Sequence, residues 1–573
     1  MTDSILLANI LPAAQLATSM TDKIALMWPE IILFATTCVV LIVGLSPSAT
    51  IRKSTGAIAA VGLAIATLMA HASPPGQGGF GAMMPYAKAL IGIVGLLMVG
   101  LMAGTVDRRF EAAIESGRAT YQPLLATRAE FYAFFLFSLT GAMLCAGAND
   151  LIWLFLALEL TSLPTYVMVV ISTRGTRSQE SGVKYFFLGA LGAAIFLMGF
   201  ALIFGGTGST MLFGTPGDPG IAEILAYQTL QFNGINPIAM AGLVLAVIGI
   251  GFKIAAVPMH FYTADVYQGA SSTVAAFLAF VPKTAGFIAL IVLLGTVGWS
   301  HDTFAGEGGQ LPGVLRTVLW VMAVMTMFAG NILALVQASA KRMLAYSSIA
   351  HSGYMLVGLI AGPGDGTFRN NGIAAVLFYL TAYGVMNLGA FAVIACLEKA
   401  NRDSESGDEP EDVADLKGLC KTHPLLGVSM VICAISLLGM PPLLGFWGKL
   451  PLFTAGIGAG EIVLVVILGI NSAIAAFYYL RLAGAAVLEE PDEQNEALRV
   501  TPFAARTFAA VLSAGGVVSL SILSGLIMGA AETSGRYTPV DTTAIFQDKV
   551  FLPPEGTMMP IFPDPTEGLG EID

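Results

Sequence analysis

Apolar runs of about eighteen or more residues recur along the chain, separated by short breaks rich in Gly, Pro or charge. Each run can cross a hydrocarbon core of about 30 Å at a helical rise of about 1.5 Å per residue. Lipid offers no partner for backbone N–H and C=O groups, so runs of this kind close their own hydrogen bonds as α-helices. The sequence therefore predicts an all-α membrane protein with about fourteen transmembrane helices. They fall at 26–45, 56–72, 86–105, 130–148, 150–171, 181–205, 236–257, 272–296, 314–337, 342–361, 372–397, 424–455, 461–486 and 506–531. The twelfth run is too long for one span and contains Pro441-Pro442, so a broken helix is expected there. The seventh reaches Pro258 and is expected to continue as a second short piece.

Composition removes other classes. Of 573 residues, 56% are hydrophobic and only 11% charged, which rules out a string of soluble domains. Five scattered cysteines form no CxxC pair and offer no pattern for an iron–sulfur cluster, a zinc site or a disulfide framework. The net charge of −11 lies mostly in loops and the tail, which argues against a nucleic-acid partner. Gly448-Lys449-Leu450 lacks the Ser or Thr of a phosphate-binding loop, so no nucleotide site is assigned. The acidic Asp3 and the missing basic segment before the first run make a cleaved signal peptide unexpected.

Cytoplasmic loops carry the excess of Lys and Arg. Loops after odd-numbered runs hold seventeen, from Arg52 and Lys53 to Arg499 and Arg506. The opposite side holds six: Lys23, Lys88, Arg316, Arg369, Arg536 and Lys549. This bias places both termini in the periplasm of a bacterial inner membrane. The acidic stretch Asn401–Asp415 and the Pro-rich segment Thr533–Asp573 read as solvated linker and extended tail.

Four ionisable residues fall inside apolar runs: Glu159, Lys253, Lys283 and Lys449. A charge at mid-helix costs on the order of 3 kcal/mol on insertion scales, which fold stability alone does not repay. Residues of this kind usually line a polar path. The plain alternatives are snorkelling to an interface or one structural ion pair. Lys184, near the cytoplasmic start of its run, is the most open to snorkelling. Lysine suits proton transfer because desolvation brings its pKa towards the physiological range, whereas arginine stays charged. His260 and His351 are candidate relays, each as readily a hydrogen-bonded core residue, and neither has metal-ligand companions.

Lys253 and Lys449 lie in the seventh and twelfth runs, and an offset of five reverses orientation across the membrane. Both follow a Gly-Phe beside a helix break, as inverted repeats with broken helices would arrange.

Longer motifs then point to one family. ELTSLPTYV from Glu159, ESGVKYFFLGA from Glu180, GFKIAAVPMHFYTADVYQGA from Gly251, KRMLAYSSIAHSGYMLVG from Lys341 and GMPPLLGFWGKLPLF from Gly439 resemble the antiporter-like subunits of respiratory complex I. DVYQGA and KYFFLGA resemble the branch called subunit N in bacteria, the equivalent of mitochondrial subunit 2. The resemblance covers about residues 130–485. It implies a central Glu159–Lys253 pair, a lateral link through Lys283, an exit-side Lys449 and an auxiliary Lys184. It also implies two inverted five-helix repeats, runs 4–8 and 9–13.

The expected divisions are a three-helix segment at 1–129, repeats at 130–296 and 297–486, a final helix at 487–532 and a tail at 533–573. The implied activity is proton translocation coupled to quinone reduction in partner membrane subunits, with NADH oxidation, flavin, iron–sulfur clusters and quinone outside this chain. Alternatives are a subunit of a multisubunit cation/proton antiporter and a non-conducting membrane scaffold. Tyr262, Ala264 and Ser271 depart from the family's usual Trp, Pro and Pro, and 107–128 is longer and more charged than the family pattern.

Overall fold

A computed structural model describes residues 24–538 apart from 77, 174, 216–217, 233, 300–310, 368, 400–408 and 492–497. Lys23, Arg174, Arg402 and Lys549, most of the acidic linker and the tail beyond 538 therefore lie outside the described residues. Within these limits the chain is helical, apart from isolated bridges and one antiparallel ribbon pairing Leu397–Lys399 with Leu498–Val500.

The principal helices are α1 (Trp28–Gly44), α2 (Thr55–His71), α3 (Met83–Leu101), α4 (Arg128–Ala146), α5 (Leu151–Ser172) and α6 (Thr176–Thr207). Then come α7 (Pro237–Gly251), α8 (Thr263–Gly269), α9 (Ser272–Val297), α10 (Gly313–Leu335), α11 (Ala340–Ala361) and α12 (Gly372–Ala395). The last are α13 (Pro424–Leu438), α14 (Leu444–Gly458), α15 (Ile462–Val487), α16 (Ala504–Ile522) and α17 (Ser524–Ser534). Eleven helices are long and apolar enough to cross a membrane, and α1, α7 and α13 are shorter apolar helices. A member of this set occupies each of the fourteen apolar runs.

Three helices form the centre. All of α9 is buried, and α11 and α12 are buried over nearly their whole length, although α11 is the least apolar of the eleven long helices. Around them, α6 and α15 expose large side chains such as Phe187, Met198, Val463 and Phe477 to the surroundings. Residues of this kind face lipid in a membrane protein, where apolar exposure has no solvation cost. Helices α6 and α7 touch backbone to backbone at Gly199 and Gly242. A Cβ at Gly199 would stand 2.7 Å from the Gly242 carbonyl oxygen, so only small residues permit this approach.

Both expected breaks are present. After Gly251 the chain runs through turns to Tyr262 before α8, with Ala255 in the left-handed region at φ 54° and a cis Val257-Pro258 bond. The freed backbone groups are met by side chains. Thr326 Oγ1 accepts from Val257 N at 2.9 Å, Ser352 Oγ donates to Ile254 O at 2.5 Å, and Tyr262 OH donates to Phe252 O at 2.8 Å. This satisfaction is what lets irregular backbone persist at membrane depth. The second break separates α13 from α14 at Gly439–Leu443, where Gly439 adopts φ 90° and Ser436 Oγ accepts from Gly445 N at 3.1 Å.

Candidate functional site: a buried polar line

Helix α5 starts at an N-cap, Asp150, whose side chain accepts from Ile152 N and Trp153 N. That register turns Glu159 inward, two turns along, toward the break after α7. There the Lys253 Nζ lies 3.0 Å from Glu159 Oε1 and 2.5 Å from Ser162 Oγ, with the Phe196 ring beneath it at 5.7 Å. The lysine side chain is 2% exposed and the glutamate 17%. Each charge sits in surroundings that would otherwise exclude it, and each supplies the other's counter-ion.

Lys283 occupies the middle of α9, next to Pro282. Its Nζ donates to Ser348 Oγ at 2.6 Å and to the Ser348 carbonyl, and it lies 5.2 Å from the centre of the Tyr383 ring. Ser352, which holds the Lys253 turn through Ile254, stands one turn along α11 from Ser348. Helix α11 thus touches both lysine sites, holding the backbone beside Lys253 through Ser352 and the Lys283 amine through Ser348. Lys283 has no carboxylate at ion-pair distance among the described residues.

His351 sits on the same helix. Its Nδ1 is 2.6 Å from Tyr379 OH and its Nε2 is 2.8 Å from Tyr479 OH, which also contacts Ser347 Oγ. In the neutral tautomer one ring nitrogen donates and the other accepts, so both hydroxyls are satisfied. The Tyr383 ring lies 5.0 Å from the imidazole and the Tyr354 ring 5.4 Å. Tyr354 in turn lies 5.1 Å under the Lys449 amine. His351 is therefore flanked by Lys283 and Lys449, with one tyrosine ring toward each. Lys449 Nζ donates to Leu438 O at 2.8 Å, the carbonyl left open where α13 ends.

The remaining sequence candidates lie off this line. Lys184 is 43% exposed and bridges Glu180 at 2.7 Å and Asp265 at 3.1 Å. Stacked Tyr185, Tyr262 and Phe252 rings separate it from Lys253, with centroids 5.1 and 4.3 Å apart along the stack. His260 is half-buried at the first break, against Phe261, and its Nδ1 has no hydrogen-bond partner among the described residues. Arg342 meets the other oxygen of Asp265 at 2.7 Å.

Several polar residues of the core escaped the sequence reading. Tyr379 and Tyr383 are four residues apart on α12, a spacing that puts both on one face. Asn331 Nδ2 bonds Tyr354 OH at 3.0 Å and Asn471 Oδ1 at 3.1 Å, and Tyr478 OH bonds Asn331 Oδ1 at 3.0 Å. A separate ion pair, Lys88 with Glu30 at 2.7 Å, is buried between α3 and α1, where Lys88 also donates to Leu26 O at 2.7 Å. Lys88 falls within an apolar run, and that was its signal.

Outside the membrane, Glu409 clamps the start of α9. It accepts from Ser272 N at 2.9 Å and Ser272 Oγ at 2.6 Å and pairs with Lys341 at 2.6 Å. Burial pushes its carboxyl up, but the Lys341 charge and these hydrogen bonds outweigh it and hold the pKa below the ordinary value. Glu411 pairs with Arg177 at 3.2 Å, so this short segment ties the loop to helices α6, α9 and α11.

Among the described residues no group of three His, Cys, Asp or Glu could hold a metal ion. The arrangement can carry protons between amines, hydroxyls and an imidazole. It defines a multi-pass helical membrane protein with a line of buried basic groups across its middle.

Comparison with known proteins identifies the class further. Residues 148–475 match the family described as NADH:quinone oxidoreductase/Mrp antiporter, TM, and the chain belongs to that family. NADH-quinone oxidoreductase subunit N of Myxococcus xanthus is 36% identical over 498 residues, which is 83% of this chain and 89% of that protein. A chain of respiratory complex I from Thermus thermophilus superposes with a TM-score of 0.68 at 31% identity, covering 88% of this chain and 99% of its own. A chain of the Mrp complex from Dietzia sp. shares the fold, with a TM-score of 0.68 at 18% identity over 92% and 99% of the two chains.

Proposed function

We propose that this chain is the proton-translocating, antiporter-like subunit N of a bacterial NADH:quinone oxidoreductase. It couples quinone reduction in partner subunits to proton transfer along Glu159, Lys253, Lys283 and Lys449. One observation carries the reading: a buried Lys253–Glu159 pair at 3.0 Å, with a second buried amine, Lys283, held by the same helix α11 that fixes the Lys253 turn. A carboxylate at this distance favours the protonated amine. Any movement that lengthens the separation disfavours it, so displacement at the helix break loads or releases a proton. Lys283 and Lys449, with no carboxylate at ion-pair distance among the described residues, can then accept and pass it on through His351, with Lys184 an auxiliary group on the cytoplasmic side.

The cofactors of the complex, flavin and iron–sulfur clusters, and its quinone belong in this reading to other subunits, which share the inner membrane with this chain. Both termini face the periplasm. Runs 4–8 and 9–13 form inverted repeats, at 130–296 and 297–486, flanked by the segments 1–129, 487–532 and 533–573. Support comes from the two lysine-bearing helix breaks, five runs apart, and from the Lys and Arg excess after odd-numbered runs.

The test is NADH-driven proton uptake in inside-out vesicles carrying Lys253→Met in an assembled complex. Loss of uptake is expected, and unchanged uptake would favour a scaffold. A cation/proton antiporter subunit shares the family, so co-purification decides between the two: absence of flavin and iron–sulfur absorbance would overturn the complex I reading.

A further inference from the structure

We infer that Asn387 organises a cytoplasm-directed branch of the polar line to Lys283, a role that rests on the proton-translocating reading above. Asn387 lies on α12 one turn past Tyr383 and one turn before Phe391. Residues at this spacing share a helix face. The Tyr383 ring lies beneath the Lys283 amine, and the Phe391 ring lies 6.1 Å from that of Tyr267 on α8. Asn387 therefore stands between them, where α8, α9 and α11 meet α12.

The side chain is 1% exposed, yet neither its oxygen nor its nitrogen bonds to a protein atom among the described residues. A buried carboxamide left this way loses its hydration without return, and the usual resolution is bound water held by neighbouring polar groups. One such group is present. The Tyr383 hydroxyl, one turn before Asn387, is also buried and unpaired among the described residues, and its ring lies 5.2 Å from the Lys283 amine.

The row leads toward water. Asn387 is eight residues before the cytoplasmic end of α12, or about 12 Å at the helical rise. Three residues beyond Tyr267, the Ala270 carbonyl accepts from Lys341 at 3.3 Å, and Lys341 pairs with Glu409, whose side chain is 22% exposed. On this reading the branch runs from the solvent-touching Glu409 carboxylate, past Tyr267 and Asn387, to Lys283. A purely structural role predicts an apolar residue here, as at Leu380 and Leu388 on the same helix, because an unpaired amide specifies no packing.

The test compares Asn387→Leu, Asn387→Ser and Lys253→Met in inside-out vesicles holding the complete complex, with assembly checked by NADH oxidation using an artificial acceptor. Asn387→Leu should slow proton uptake about fivefold, as loss of one relay hydrogen bond implies, and raise the H2O/D2O rate ratio. Asn387→Ser should restore both. Normal uptake in Asn387→Leu alongside impaired uptake in Lys253→Met overturns the branch alone. Normal uptake in Lys253→Met sinks the underlying function. Should Asn387→Leu fail to assemble, Tyr267→Phe deletes a single oxygen, and an unchanged rate and isotope ratio there overturn the proposal.

Discussion

Lys253 and Glu159 face each other at 3.0 Å across the point where α7 gives up its helical hydrogen bonds, and the lysine is the more deeply buried of the two. Each has lost most of its hydration, so removing one leaves the other as an uncompensated charge at a cost of about 3–5 kcal/mol. Glu159→Gln should therefore lower the melting temperature of the purified complex more than the double variant Glu159→Gln/Lys253→Met, which removes both charges. Equal or additive losses in a double-mutant cycle would show that the two groups do not depend on each other.

Lys283 makes hydrogen bonds to Ser348 and no ion pair among the described residues, so its charge state is free to change. Lys283→Arg retains a cation that does not deprotonate under physiological conditions. Both Lys283→Arg and Lys283→Met should abolish coupled proton uptake. An Arg variant that pumps at the native rate would show that Lys283 acts as a fixed charge and not as a carrier.

His351 holds Tyr379 OH at 2.6 Å and Tyr479 OH at 2.8 Å, one on each ring nitrogen. Tyr379→Phe removes one of these bonds while keeping the ring, at a cost of about 1 kcal/mol. Turnover should fall about fivefold with the complex intact. An unchanged rate would assign the Tyr379 hydroxyl a packing role only.

Glu409 is the anchor outside the membrane whose acid–base behaviour can be read directly. Burial is the largest single influence on its pKa and raises it, but the Lys341 charge and the hydrogen bonds of Lys341 and Ser272 together outweigh burial and hold the pKa below the ordinary value. Stability from this clamp is present above the ordinary carboxylate pKa and fades as the pH falls through the depressed one. Glu409→Gln should melt earlier than the native protein at pH 7, and the gap should close in acid. A gap that persists unchanged below the carboxylate range would refute the ionic clamp.

Much of this arrangement was legible because membranes impose simple rules on sequence. Fourteen apolar runs each hold a helix, and Lys253, Lys283 and Lys449 announced themselves as charges inside such runs. The break at Pro441-Pro442 was legible for the same reason, since proline cannot continue a helix. Partnerships were not legible. Lys88 falls among the loop cations in a count of charges because it lies near the start of its run, yet it pairs with Glu30 in the interior. Tyr354, Tyr379 and Tyr383 went unnoticed because tyrosine is equally at home at a membrane interface, and only the burial of α11 and α12 shows that these rings surround His351.

The position of Lys449 can be tested without touching the lysine. Its amine rests on the Leu438 carbonyl at 2.8 Å because α13 ends there and Gly439 turns away with φ 90°. A Cβ at Gly439 would meet Lys449 Cδ at 2.9 Å, closer than such contacts allow. An L-residue in that left-handed conformation also costs about 1 kcal/mol. Gly439→Ala should therefore push the lysine off its carbonyl while preserving its charge. If the amine must stand between Tyr354 and the open end of α13 to pass a proton, Gly439→Ala will reproduce a weaker form of Lys449→Met in NADH-driven uptake, with the complex still assembled. Should Gly439→Ala pump normally, Lys449 tolerates displacement, and proton transfer does not depend on its place at the second break.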